Sequence, residues 1–92
     1  MKYNKLGQTD LVVSELCLGT MTWGTQNSAD DAFYQIEKSI DAGINFIDTA
    51  ELYPVNPISG VTQGESERIL GEWLSRSNVR DELIIATKIA GN

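Results

Sequence analysis

The sequence predicts an α/β fold in which an N-terminal β-hairpin precedes a β-α-β-α-β unit with parallel strands. Three observations carry this prediction: turn-forming residues near the start, three short apolar runs, and two segments of helical periodicity between those runs. Apolar strands that alternate with helices indicate a parallel sheet, which we expect to be covered on both faces. The chain has 92 residues, 41% hydrophobic and 22% charged, a composition typical of a globular rather than a disordered protein.

The segment KYNKLGQTDLVVSEL near the start predicts the hairpin. Gly7 and Asp10 separate its two strand-like pieces, and both residue types tolerate the backbone of a tight turn. The next segment, ELCLGTMTWG, has an apolar run over residues 16–18 that predicts a buried strand. Gly19 and Gly24 then indicate a flexible loop.

Two helices are predicted from capping patterns and apolar stripes. The first begins near Ser28, which has capping-box spacing with Asp31, and ends at Gly43. The second begins near Thr62, which has the same spacing with Glu65. The apolar stripes are Ala29, Ala32, Phe33, Ile36 and Ile40 in the first helix, and Ile69, Leu70, Trp73 and Leu74 in the second.

Polar residues follow the second and third predicted strands. The second strand covers residues 44–47 and ends at Asp48, and the third covers residues 83–88 and ends on Lys88. The carboxyl ends of parallel strands share one edge of the sheet, so we expect these side chains to lie close together. Tyr53, on the loop after Asp48, is expected to lean over both. The simpler interpretations are that Asp48 caps a turn, Tyr53 is a surface aromatic residue and Lys88 is a solvated strand end.

An acid, a phenol and an ammonium at one sheet edge suit the donation of a proton to a carbonyl oxygen. A free tyrosine stays protonated at neutral pH. A nearby ammonium stabilises the phenolate and makes the proton easier to release, and a carboxylate holds that ammonium in place. Because no side chain can deliver a hydride, this chemistry implies a nicotinamide cofactor.

The motifs GINFIDTAELY, GESERILGEWL and IIATK resemble the N-terminal part of the aldo-keto reductase superfamily. The loop YPVNPISGVTQGESE is most similar to that of its Tas-like bacterial branch. The resemblance covers essentially the whole chain, and it implies a (β/α)8 TIM barrel that reduces aldehydes and ketones with NADP(H). Such a barrel needs about 250 residues. We therefore expect residues 1–92 to form a single, incomplete domain, a fragment that is inactive alone.

The same resemblance implies roles for individual residues. Tyr53 matches the general acid, Lys88 its ammonium partner, and Asp48 the acid that pairs with the lysine and lies near the nicotinamide ribose. The residues matching the family's cofactor-binding positions are Gly19, Thr20, Met21, Gln26 and Asp48. For the glycines, simple turn formation stays open. For Trp23, lining of a substrate pocket and packing in the core also both stay open.

Charge, apolar runs and residue types argue against several kinds of partner and site. A net charge of -6 argues against a nucleic-acid surface, and no apolar run reaches the roughly 20 residues of a membrane helix. With no secretory signal at the start, we expect a cytoplasmic protein whose partner is a small carbonyl substrate.

The absence of histidine and a single cysteine, Cys17, argue against a transition-metal site, and we expect Cys17 in the core. The edges of a three-stranded sheet also offer a route to self-association.

Two alternatives to catalysis remain at this stage. A regulatory or partner module of the same fold, like the β subunits of potassium channels, would bind the cofactor with little or no turnover. In the other alternative, the 92-residue chain by itself does no chemistry, whatever its parent protein does.

Overall fold

The structure is a computed structural model that describes residues 1–54 and 59–89. Its elements are β1 (Tyr3–Lys5), β2 (Val12–Ser14), β3 (Leu18–Gly19), α1 (Ala29–Asp41), β4 (Phe46–Asp48), α2 (Glu65–Arg76), a short 3-10 helix (Arg80–Glu82) and β5 (Ile84–Ala86). The predicted order of a hairpin followed by β-α-β-α-β is confirmed. In the described ranges, neither helix has the length and apolar character needed to cross a bilayer.

The hairpin packs at the end of the sheet where the parallel strands begin. β1 and β2 pair antiparallel, and the turn between them includes Gly7 at φ +60°. The Tyr3 hydroxyl donates to the Gly43 carbonyl at 2.6 Å. Asn45, just before β4, accepts from the Ser14 N–H at 2.7 Å and donates to the Val12 carbonyl at 2.9 Å. These bonds leave the opposite edge of the sheet free of the hairpin.

The three parallel strands lie in the order β3-β4-β5, and one face of the sheet carries both helices. Leu18, Ile47 and Ile85 are register partners on that face, and they pack in one core with apolar residues of α1 and α2. The sequence predicted cover on both faces; in the described residues the helices cover one face, and Phe46 and Ile84 on the other face are partly buried. Each strand is added on the same side of the last, so right-handed crossovers bring both helices over one face. This single winding direction is typical of a β/α barrel.

Both ends of α1 follow the sequence prediction. The Ser28 side chain accepts from the Asp31 N–H at 3.1 Å, and the Asp31 carboxylate accepts from the Ser28 N–H at 3.0 Å, which completes the capping box. At the other end Gly43 has φ +93°. The Ile44 N–H donates to the Ser39 carbonyl and the Gly43 N–H to the Ile40 carbonyl, each at 2.9 Å, as in a Schellman motif.

The start of α2 differs from the prediction. The helix begins at Glu65 after Gly64, and no side chain caps it, so the proposed capping box of Thr62 with Glu65 is wrong. The carbonyl of Tyr53 accepts the N–H groups of Gly64 at 3.0 Å and of Ser66 at 3.3 Å. A distant loop therefore satisfies amides of the first turn. The predicted apolar side is confirmed, since Ile69, Leu70, Trp73 and Leu74 all belong to the core or pack against it.

The structure places Trp23 inside the core and Cys17 outside it. Trp23 is completely buried and belongs to the core, so its side chain does not line an open pocket. Cys17 is exposed, and its expected place in the core is wrong. It precedes Leu18, which faces the helices, so alternation along the strand turns Cys17 toward the uncovered face.

The close contact at Gly43 predicts the effect of one substitution. We expect Gly43→Ala to lower the free energy of unfolding by more than about 1 kcal/mol, because alanine strains at a positive φ. A Cβ there would also lie 2.9 Å from the Tyr3 hydroxyl oxygen. Gly71→Ala, inside α2 with open space around a Cβ, should instead raise stability by roughly 0.5–1 kcal/mol. Urea unfolding measures both, and equal stability of the Gly43 variant and the parent protein would contradict the prediction.

Candidate active site

The ammonium group of Lys88 lies between three oxygen acceptors at the C-terminal edge of the sheet. Its Nζ is 2.8 Å from Asp48 Oδ1, 2.9 Å from Asp48 Oδ2 and 2.8 Å from the Thr49 carbonyl. An ammonium has three N–H donors, so each one has an acceptor. The side chains of Lys88 and Asp48 are 45% and 40% exposed, so the held charge still faces solvent.

Strand register brings this pair together. Asp48 is the last residue of β4 and pairs with Ala86 of β5. Lys88 follows Ala86 by two residues, so its side chain points to the same face as that of Asp48. Main-chain bonds continue past the strand ends, from the Thr49 N–H to the Ala86 carbonyl at 2.8 Å and from the Glu51 N–H to the Lys88 carbonyl at 3.1 Å. The loop after β4 is thereby tied to the chain that carries Lys88.

Tyr53 lies beside the same ammonium. Lys88 Nζ is 5.0 Å from the centre of the Tyr53 ring, which is within the range of a cation–π interaction. A turn returns the loop to the sheet, since the Tyr53 N–H donates to the Ala50 carbonyl at 3.2 Å. The structure therefore brings together Asp48, Tyr53 and Lys88, which the sequence predicted as one group. Their catalytic roles stay a prediction.

The charge of Lys88 is favoured by its surroundings. The hydrogen bond with Asp48 raises the pKa of the Lys88 ammonium above its usual value, and the negative charge of Asp48 and the nearby Tyr53 act in the same direction. Partial burial opposes them and is outweighed. The group next to the Tyr53 ring is therefore a cation at neutral pH.

The residues predicted to contact a cofactor fall into two groups. Gly19 ends β3 opposite Asp48, with open space where a Cβ would be, and Met21 and Gln26 are exposed on the following loop. Thr20, in contrast, is completely buried, and its hydroxyl donates to the Asp48 carbonyl at 3.1 Å. In this conformation the Thr20 side chain braces the end of β4, and its contact with a cofactor stays a prediction.

Sequence reasoning missed two neighbours of this group. One is the Thr49 carbonyl, for which no side-chain pattern gives a signal. The other is the Cys17 thiol, whose pKa is raised by partial burial first and then by the negative charge of Asp48, while the charge of Lys88 acts in the opposite direction. Cys17 precedes Gly19 by two residues, so strand alternation could have placed it on the face of Asp48.

The sequence that forms this site matches a known protein family. The model of the aldo/keto reductase family matches residues 15–92, a range that includes all three residues of the group. The chain belongs to the aldo/keto reductase family. The described β/α arrangement is accordingly part of a TIM barrel, as predicted.

Several family members are similar over nearly the whole chain. Protein tas of Escherichia coli is 47% identical over 91 residues, covering 99% of this chain and 26% of that protein. The uncharacterized oxidoreductase YrpG of Bacillus subtilis is 40% identical over 97% of this chain and 26% of its own length. Aldo-keto reductase AKR11C1 of Bacillus halodurans, solved in a holo form, superposes with a TM-score of 0.77 at 37% identity, over 97% of this chain and 26% of its own. The chain thus spans about a quarter of the length of these relatives.

The raised pKa of Lys88 gives a test of the ion pair. Asp48→Asn should lower the pKa of Lys88, because the main cause of its rise is removed. In the parent protein, the ion pair should contribute its full stability below the unfolded-state pKa of about 10.4 and lose it as the pH rises through the folded-state value. NMR titration of the Lys88 side chain measures the shift directly. Asp10→Asn, the same charge change in the hairpin turn, is the control, and an equal shift in both variants would contradict the assignment.

Proposed function

We propose that this chain forms the proton-donating N-terminal part of an NADPH-dependent aldo/keto reductase that converts aldehydes and ketones to alcohols. The observation that carries the proposal is the Lys88 ammonium, held by Asp48 and the Thr49 carbonyl beside the Tyr53 ring. Family membership supports oxidoreductase chemistry on a carbonyl. The expected cytoplasmic location belongs to the same proposal.

In the proposed mechanism, the carbonyl carbon would receive a hydride, the chemistry that a nicotinamide cofactor would supply when bound beside Gly19 and Asp48. The protein supplies the proton: the Tyr53 hydroxyl donates it to the carbonyl oxygen, so that a hydride and a proton together give the alcohol. The adjacent Lys88 charge stabilises the phenolate that remains on Tyr53. Asp48 keeps that charge in place while the proton moves.

The described residues around the end of β3 suit the nicotinamide end of such a cofactor. Gly19 leaves open space opposite Asp48, so a flat ring can approach the backbone there. Met21 is 46% exposed and offers an apolar surface on the adjoining loop. We propose that Gly19, Met21 and Asp48 contact the cofactor, with Gln26 as a further polar contact on that loop. The preference for NADP(H) rests on the family resemblance.

The outer strands of the described sheet have one neighbour each. β3 pairs only with β4, and β5 pairs only with β4, among the residues that the structure describes. We propose that both strands pair with further strands when the barrel is complete. In the 92-residue chain alone, these same edges would be the route of self-association.

Removal of the Tyr53 hydroxyl tests its role as the acid. In a complete protein that contains this sequence, Tyr53→Phe should reduce kcat for aldehyde reduction by at least about a hundredfold, in line with the loss of a general acid. Binding of NADPH, followed by its fluorescence, should persist because the ring remains. Tyr34→Phe on the exposed side of α1 is the matched control, with 63% of Tyr34 exposed, and should keep full activity.

The possible results separate reductase from binding module. Unchanged turnover in Tyr53→Phe would exclude Tyr53 as the proton donor. A parent protein that binds NADPH tightly but reduces no carbonyl would favour the cofactor-binding partner module instead.

The isolated chain allows a second test. Titration of the 92-residue chain with NADPH should give no saturable change in nicotinamide fluorescence, because Gly19, Met21 and Asp48 meet only one end of a cofactor. A complete protein containing the same residues should saturate under identical conditions. Tight, saturable binding to the chain alone would contradict this prediction.

A further inference from the structure

Ser66 is a completely buried serine in the first turn of α2. Its hydroxyl donates to the carbonyl of Trp23 at 2.7 Å, a bond between residues 43 positions apart. Its own N–H donates to the carbonyl of Tyr53 at 3.3 Å. Serines in helices often bond within their own turn. Ser66 instead joins α2 to two different loops at the C-terminal edge of the sheet.

The two loops are those that carry the proposed chemistry. One holds Tyr53, the proposed acid. The other holds Thr20 and Met21, and the Trp23 N–H closes a turn there by donating to the Thr20 carbonyl at 3.1 Å. Trp23 is also anchored at its ring, where Nε1 donates to the Gln35 side chain of α1 at 2.7 Å.

Residues of both loops and of α2 pack closely at the same point. Gly24 has φ +106°, and a Cβ on it would lie 2.8 Å from Glu65 Cβ and 3.6 Å from Pro54 Cγ. Gly24 follows Trp23, Pro54 follows Tyr53, and Glu65 precedes Ser66. The neighbours of Trp23, Tyr53 and Ser66 in the chain are therefore packed against one another.

We propose that Ser66 is a positioning residue for the reductase, because it fixes the distance between the Tyr53 loop and the proposed nicotinamide-contacting loop. This inference rests on the proposed function. Proton and hydride transfer to one carbonyl require both loops to be placed together, and a misplacement of about 1 Å can cost about a hundredfold in rate. Removing the hydroxyl leaves the buried Trp23 carbonyl without its donor, so the loop has a reason to move.

Ser66→Ala in a complete protein containing this sequence tests the inference. We expect kcat to fall about 10- to 100-fold with a smaller change in KM, and the primary isotope effect with deuterated NADPH to rise as hydride transfer becomes slower. Independently of turnover, hydrogen exchange of the Trp23 and Gly24 amides in the cofactor-free protein should quicken about tenfold. Ser66→Cys, which has only a weak S–H donor, should lie in between, and it replaces the alanine variant if that variant does not fold.

Two controls separate positioning from general stability. Ser75→Ala removes a hydroxyl that bonds only to the Glu72 carbonyl on the exposed side of the same helix, and it should change nothing. Leu83→Val trims a buried core residue that lines a cavity with Gly43 and Asn45 at the hairpin end of the sheet, so it should lower the melting temperature without changing the isotope effect or loop exchange.

The outcomes distinguish the inference from the proposed function. If Tyr53→Phe abolishes turnover while Ser66→Ala leaves kcat, isotope effect and loop exchange at parent values, the positioning role is wrong and the reductase stands. The positioning role is also wrong if Ser66→Ala and Leu83→Val change all three readouts equally. If the parent protein reduces no carbonyl, the proposed function fails first, and rapid loop exchange in Ser66→Ala would still show that Ser66 holds the loops.

Discussion

The site depends on the parallel register of β3, β4 and β5, which aligns Gly19, Asp48 and Ala86 in one row. Because side chains alternate along a strand, this row faces away from the helices while the preceding row faces the core. A shift of one residue would turn Asp48 into the apolar core between sheet and helices, where an ionised carboxylate is costly. The correct register instead leaves Asp48 at the rim, within reach of Lys88.

The ion pair of Asp48 and Lys88 fixes the place of the ammonium group more than it stabilises the fold. Pairs that are nearly half exposed typically add little to the free energy of unfolding, because water and salt screen them. Three acceptors around one ammonium nevertheless define its place closely, and Thr20 and Ala86 support the backbone that supplies those acceptors. A fixed positive charge beside a phenol stabilises its phenolate, which is the effect that the proposed proton donation would use.

Features that depend on neighbours in sequence were predictable, and those that depend on distant backbone were not. The Ser28 capping box and the helix end at Gly43 are complete within a few residues, and Asp48 and Lys88 follow from strand ends alone. At Thr62 the same kind of pattern failed, because a carbonyl from the Tyr53 loop satisfies the helix amides. The bond from Ser66 to Trp23 was equally hidden, since any buried residue has a carbonyl to offer.

The sheet face that carries no helix contains both apolar residues and the residues of the candidate site. Phe46 and Ile84 are register partners on this face, and both are partly buried. Asp48 and Lys88 follow on the same face because side chains alternate along each strand. In a (β/α)8 barrel such a face forms the packed interior, with the strand ends at the mouth. One alternation in sequence therefore sets both the apolar interior and the charged rim.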